Sequence, residues 1–301
     1  MSDVKGVIFD ISRFTVHDGD GLRSTVFVKG CPLRCPWCQN PEGRHKAIDV
    51  MWFPTLCIGC GRCEKACKYD ALHISDGKVQ IDKQKCTLCG KCVEGCPPLA
   101  LKMNGYEITD DEVIEELLKD SVFYNNSGGG ITLSGGEPLS QKDFCLSLLS
   151  KCKTHGLGTA METCLYAREE DVLDFLGVTD QFIADIKIFD EKKHKQVTGK
   201  SNRMILKNAA NLIERRVNML VRIPLIPGYT DDDDNIAQIA RFVASFGSGI
   251  KLELLNYNPL AADKFLTINE PYLVGKEAKP LPPHEMERKK ALVNNILEGK
   301  E

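Results

Sequence analysis

The sequence predicts an α/β protein built on a parallel sheet, flat or curled, that is interrupted once by a cysteine-rich insert. Three observations carry this. Apolar strand-like stretches alternate six times with amphipathic helix-like ones, the pattern of β–α units. Polar or glycine-rich residues follow each of the six strand-like stretches. Eleven of the fourteen cysteines fall between Cys31 and Cys96, which marks residues 50–104 as a segment of different character. The α/β part then comprises residues 1–49 and 105–301, within the length of one large domain carrying an insert.

The strand candidates are 24–29, 130–134, 157–162, 181–187, 218–225 and 250–256. Thr109 with Glu112 makes a capping box before one helix. Ser140 is expected to open another, with Gly156 closing it. Thr230 precedes four aspartates that complement a helix dipole. Cys145 and Cys152, seven apart on one helix, are expected to be core thiols, and Cys164 a packing residue. The segment from Pro283, with His284, reads as a solvated C-terminal helix.

The strand ends hold the unusual residues. "GCPLRC" follows the first strand, "GGEP" (135–138) the second, and "ETC" (162–164) ends the third. "DIK" (185–187) ends the fourth, Arg222 and Pro224 the fifth, and "NYN" (256–258) the sixth. Parallel α/β folds bind ligands at the C-terminal ends of their strands, so this end is expected to be an active site. "SGGG" (127–130) lacks the Gly-Lys-Ser/Thr of a phosphate loop and reads as a turn.

Composition narrows the function. Hydrophobic residues make up 43% of the chain, enough for a sizeable core, and the net charge of −3 gives no electrostatic case for nucleic acid. The start "MSDVKGVIFD" lacks a signal-peptide stretch, and no uncharged apolar run approaches a membrane span. A cytoplasmic protein is expected, and there the fourteen cysteines are not a disulfide framework; the eleven packed between Cys31 and Cys96 are expected to bind metal.

Residues 57–67, "CIGCGRCEKAC", and 86–97, "CTLCGKCVEGCP", both follow C-x2-C-x2-C-x3-C, the bacterial ferredoxin run, in which the fourth cysteine serves the other cluster. Carried over, Cys57, Cys60, Cys63 and Cys96 hold one 4Fe–4S cluster, and Cys86, Cys89, Cys92 and Cys67 the second. Zinc ribbons would instead show ligand pairs separated by a spacer. Lys68 stands after Cys67 where this run usually has proline. Eight Lys/Arg against five Asp/Glu in the insert do not argue for an acidic partner once eight thiolates are counted.

Cys31, Cys35 and Cys38 are different, for the motif C-x3-C-x2-C supplies only three thiols. A 4Fe–4S cluster on three thiolates keeps one iron open, as catalytic metals do. With Trp37 before the last cysteine and "GGEP" after the next strand, the motif resembles the signature of the radical S-adenosylmethionine (SAM) superfamily. Within it, "FTVHDGDGLRSTVFVKGCPLRCPWCQNPE", "SGGGITLSGGEP", "ADIK", "HKQVTG" and "VRIPLIPGYTDDDDN" resemble the glycyl radical enzyme activating enzymes, in the longer form with a paired ferredoxin-like insert.

The resemblance implies an incomplete (β/α)6 TIM-like barrel with an inserted bacterial-ferredoxin-like domain. It implies three 4Fe–4S clusters and SAM, with Trp37, Gly135, Gly136, Glu137, Asp185, Lys187, Arg222 and Asn258 around the cofactor. Lys187 and Arg222 would contact the carboxylate and ribose of SAM. Glu162, Thr163 and Asp185 match a site for a monovalent cation, Na+ or K+, with Glu162 in place of the family's aspartate. Asn258 stands where a histidine is usual, and Asp20 where proline is. His17 falls in the N-terminal motif, and His194 with Thr198–Gly199 in another. The implied activity is reductive cleavage of SAM to a 5′-deoxyadenosyl radical that removes a hydrogen atom from a glycine of a partner glycyl radical enzyme. No acid or base is required. Flavodoxin or ferredoxin would supply the electron to a monomeric activase. The alternatives are a radical enzyme acting on a peptide, which would be expected to carry further cysteines after the barrel, and an iron–sulfur electron carrier. The latter leaves "GGEP" and "DIK" without a purpose.

Overall fold

The computed structural model describes residues 3–247, 249–275 and 277–300. Its strands are β1 (Lys5–Thr15), β2 (Arg23–Val28), β3 (Asp49–Trp52), β4 (Leu72–Ser75), β5 (Lys78–Ile81), β6 (Leu101–Asn104), β7 (Tyr106–Thr109), β8 (Gly130–Gly135), β9 (Gly158–Thr163), β10 (Gln181–Asp185), β11 (Met219–Leu225) and β12 (Lys251–Asn256). Eight of them form one sheet in the order β12-β11-β10-β9-β8-β2-β1-β7. The six expected strands are β2, β8, β9, β10, β11 and β12, each bounded within two residues of its predicted ends. All five contacts among them are parallel.

Consecutive parallel strands lie side by side, so every C-terminal strand end points to one mouth. The sheet curls. Lys264, on the helix Ala261–Thr267 that follows β12, donates to the Gln39 carbonyl beyond β2 at 2.9 Å. Gln39 Nε2 in turn reaches the Asn258 carbonyl at 3.2 Å. Loops after the first and last parallel strands therefore touch.

Burial explains the packing. Along β8 and β10, Ile131, Leu133, Phe182 and Ala184 are sealed from solvent, as expected when helices cover a parallel sheet. The helix Lys142–Thr154 lays Phe144, Cys145, Leu148, Leu149 and Cys152 on the sheet, so both cysteines are core thiols. Among the described residues no helix is long and apolar enough to cross a membrane.

Three expectations need correction. Two antiparallel strands, β1 and β7, extend the sheet beyond β2; the polar residues that break up the apolar run of β1 hid it. Ser140 does not open a helix. It lies in the short 3-10 turn Pro138–Gln141, where its N–H donates to the Glu137 carbonyl, and the α-helix starts at Lys142. Finally, the helix Pro283–Leu297 is not solvated on all sides, for Met286, Lys289, Val293 and Ile296 are buried. It is held to the helix Asp233–Ala244 by Arg288 and Lys289, both paired with Asp233. Only its outer positions, His284 included, face water. The Thr109–Glu112 capping box and the left-handed Gly156 turn appear as expected. The aspartates after Thr230 stand at a helix N-terminus as expected, with Asp232 as the cap of the helix Asp233–Ala244, accepting from the Asn235 N–H at 2.8 Å, and Asp233 and Asp234 in its first turn.

Leu148→Ala would empty a fully enclosed site between helix and sheet, and the expected loss is about 3 kcal/mol, read as a lower denaturant midpoint with the fold retained.

Candidate active site

The three-cysteine loop leaves β2 at Lys29 and is seated on backbone. Gly30 donates to the Gly43 carbonyl at 2.7 Å and Cys31 to that of Arg44 at 3.0 Å. From the next strand end, Gly136 donates to the Val28 carbonyl at 2.8 Å and Glu137 to that of Gly30 at 2.7 Å. A side chain at residue 136 would put its Cβ 2.4 Å from the Gly30 oxygen and 2.6 Å from that of Gly43. Gly135 sits at φ +104°, its missing Cβ 2.6 Å from the Val28 oxygen. Both glycines are thus required by the chain's own close approach.

Glu137 is buried, and its carboxylate ties β8 to β9. Oε1 accepts from the Leu139 N–H at 3.1 Å and the Thr163 hydroxyl at 2.6 Å, and Oε2 from the Cys164 N–H at 2.7 Å. Burial raises its pKa, with the Cys164 and Thr163 hydrogen bonds opposing.

Cys31, Cys35 and Cys38 lie close enough to perturb one another, in an apolar shell of Leu33, Trp37, Ile188, Ile226 and Tyr257. Trp37 packs against Tyr229 with ring centroids 5.3 Å apart. Burial pushes the Cys35 thiol up to about 11 and that of Cys38 to about 12. Thiolates there need a bound cation for compensation, and iron is such a partner. Cys31 runs the other way, lowered by a hydrogen bond from Cys164. The fold thus brings Cys164 from the end of β9 to the site. Sequence reading treated it as packing, and its position after "ET" was the available signal.

Beyond the cysteines the strand ends supply charge. Asp185, Arg222 and Glu253 stand in register across β10, β11 and β12. Lys187 Nζ donates to Asp185 Oδ2 at 2.5 Å. Burial opposes the Lys187 charge, but the neighbouring Asp185 carboxylate outweighs it and holds its pKa above the usual lysine range. Asp185 Oδ1 is buried without a hydrogen-bond partner. Arg222 donates to Glu253 at 2.7 Å, to Glu162 at 3.1 Å and to the His17 carbonyl at 2.5 Å. Glu162 also accepts from the Ser134 hydroxyl. Burial, then neighbouring Asp185, raises the Glu162 pKa. Asn258 is exposed and turns inward on its own loop, its Oδ1 accepting from the Leu260 N–H at 3.0 Å. His194 is buried and lies 2.7 Å from the Lys200 carbonyl through Nδ1, within its own helix and turn.

The insert forms two cavities. One is lined by Cys57, Cys60, Cys63 and Cys96. The other is lined by Cys67, Cys86, Cys89 and Cys92. Each cavity thus draws its fourth thiol from the other motif. Burial raises the pKa of Cys63 and of Cys92.

A curled parallel sheet with three clustered thiols at its mouth, Cys35 buried and Cys31 and Cys38 half-buried, is the arrangement of a radical SAM protein, and residues 25–240 match the family model of the Radical SAM superfamily. The (2S)-3-sulfopropanediol dehydratase activating enzyme of Klebsiella oxytoca is 41% identical over 274 residues, covering 89% of this chain and 86% of that protein. The isethionate sulfite-lyase activating enzyme of Oleidesulfovibrio alaskensis is 40% identical over 278 residues, covering 90% and 89%. The benzylsuccinate synthase activating enzyme of Thauera aromatica is 38% identical over 266 residues, covering 86% and 80%. The chain belongs to the activating enzymes of glycyl radical enzymes.

Glu137→Gln would keep the volume but turn an amide NH2 toward the Cys164 N–H, while the amide oxygen still serves Leu139 and Thr163. The expected cost is about 2 kcal/mol, measured as a shifted denaturation midpoint of the apoprotein. An unchanged midpoint would show that the β8–β9 tie does not depend on this carboxylate.

Proposed function

We propose that this chain activates a glycyl radical enzyme with a 4Fe–4S cluster on Cys31, Cys35 and Cys38, and that residues 50–104 form a ferredoxin-like domain holding two more. The remaining chain, 1–49 and 105–301, is in this reading an incomplete (β/α)6 barrel. The observation that carries it is the group of three thiols at the mouth of the parallel sheet, Cys35 buried and Cys31 and Cys38 half-buried, two of them raised by their apolar surroundings so that a bound cation favours thiolate. The crossed cysteine sets of the two insert cavities support the second part.

When bound, the cluster and SAM supply the radical chemistry, ending in transfer of a hydrogen atom from the partner's glycine to a 5′-deoxyadenosyl group. The chain's own residues bind, orient and exclude water. Trp37 and Tyr229 wall off one side of the thiols. Lys187, half-buried and cationic, is suited to a carboxylate, and Arg222 is held by two glutamates in the mouth. Gly135, Gly136 and Glu137 act from behind, as the seat of the cysteine loop. Asn258 belongs to the rim. For the Na+ or K+ expected at Glu162, Thr163 and Asp185, the unpartnered Asp185 Oδ1 is the supporting group. Thr163 is committed to Glu137, and Glu162 to Arg222 and Ser134.

Fourteen free thiols suit a reducing compartment, so a cytoplasmic activase is proposed. It would act as a monomer, with flavodoxin or ferredoxin as its donor.

Anaerobic reconstitution tests this directly. About twelve irons per chain, four for each of three clusters, together with 5′-deoxyadenosine formation on reduction, are the expected result. About eight irons without SAM cleavage would overturn the catalytic assignment and favour an electron carrier. In the same assay Cys35→Ala is expected to abolish SAM cleavage while both insert clusters persist, and equal cleavage by this variant would sink the three-thiol site.

A further inference from the structure

The chain departs for the insert at Asp49 and returns at Asn104, and these residues face one another in the β3–β6 pair. Against that root lies Lys29, two residues before Cys31 and fully buried. Its ammonium donates to the Glu42 carbonyl at 2.9 Å and the Asn104 carbonyl at 3.1 Å, and Asp49 Oδ1 lies 3.8 Å away. Asn104 Nδ2 closes the ring, donating to the Glu42 carbonyl at 3.1 Å and to Asp49 Oδ1 at 2.7 Å. Gly105, at φ +93°, leaves room for the lysine stem, since a Cβ there would lie 2.5 Å from Lys29 Cδ. A buried ammonium is tolerated only when paired and hydrogen-bonded. Here the partners come from three separate segments.

Two of those segments lead to thiols. Glu42 precedes Gly43 and Arg44, whose carbonyls accept from Gly30 and Cys31. On the insert side, Lys83 donates to Asp49 Oδ2 at 2.8 Å, three residues ahead of Cys86. The position of β3 orders the two cavities. Val50, next to the ring, lines the cavity of Cys67, Cys86, Cys89 and Cys92. Trp52, two residues and about 7 Å further along the strand, lines that of Cys57, Cys60, Cys63 and Cys96.

We propose that Lys29 is a positioning residue that locks the root of the insert to the cysteine loop, so that the Cys67/Cys86/Cys89/Cys92 site is held as the nearer neighbour of the Cys31/Cys35/Cys38 site. This rests on the three-cluster reading above.

The test is low-temperature EPR of the fully reduced, reconstituted protein, with iron content and SAM cleavage measured on the same samples. Lys29→Met is expected to keep its iron but to weaken the magnetic interaction between the catalytic cluster and its neighbour, seen as slower spin relaxation. SAM cleavage should fall about tenfold, as for other residues that orient metal ligands, while the spectral change on adding SAM remains. Asp49→Asn, which keeps the side-chain volume, should act alike and decides the matter alone if Lys29→Met fails to accumulate. Unchanged relaxation and cleavage in Asp49→Asn, or in an iron-replete Lys29→Met, would overturn the positioning role. A wild-type protein lacking one set of irons would instead overturn the three-cluster reading itself.

Discussion

Between Gly30 and Glu137 runs a 2.7 Å hydrogen bond that joins the ends of two neighbouring parallel strands. It forms because residue 136 has no side chain, and a single methyl there would collide with two carbonyl oxygens at once. That backbone-to-backbone seat fixes where the cysteine loop begins. Glu137 then carries the constraint to β9 through its three accepted hydrogen bonds. Three strand ends are thereby assembled before any ligand is considered, and the remaining ends bring their charges to the place so defined.

The electrostatics of the mouth are a balance of buried groups. Two cysteines are pushed toward the neutral thiol by their apolar surroundings, whereas Lys187 stays charged because the neighbouring Asp185 carboxylate outweighs its burial. Arg222 spends its donors on two glutamates and one carbonyl. Such satisfied charges hold geometry more than they add stability. What stays unsatisfied is Asp185 Oδ1, in the middle of the group. A pre-organised site commonly keeps its uncommitted valence where the ligand enters.

Much of this was legible in the chain. The parallel strands were readable because each carries a short apolar stretch between polar or glycine-rich ends, most continuous in Phe182–Ala184 and Met219–Val221. β1 was not, because its apolar residues are interrupted by Asp10, Ser12 and Arg13 as it passes from the core to the margin. The cysteine groups could be read because ligand spacing is local in sequence. Roles set by distant partners could not: the arrival of Cys164 beside Cys31 and the enclosure of Lys29 depend on pairings that only the folded sheet creates. The glycines of "GGEP" also serve the chain's own close approach to neighbouring backbone, a contact that the sequence does not display. Ser140 shows the converse failure, a good capping residue that lost its helix end to a proline-led turn two residues earlier.

The exchange of cysteines between the two insert cavities fixes an order of construction. A ribosome delivers Cys57, Cys60 and Cys63 first, yet their cavity gains its fourth wall only from Cys96. The other cavity, which opens with Cys67, is complete once Cys92 has emerged. The site begun earlier is therefore finished later, and three thiols wait while a whole second site is translated. The return strand β6, which follows Cys96 directly, pairs with β3 only after both sets are in place. The insert therefore receives its return strand only after all eight of its thiols have been translated.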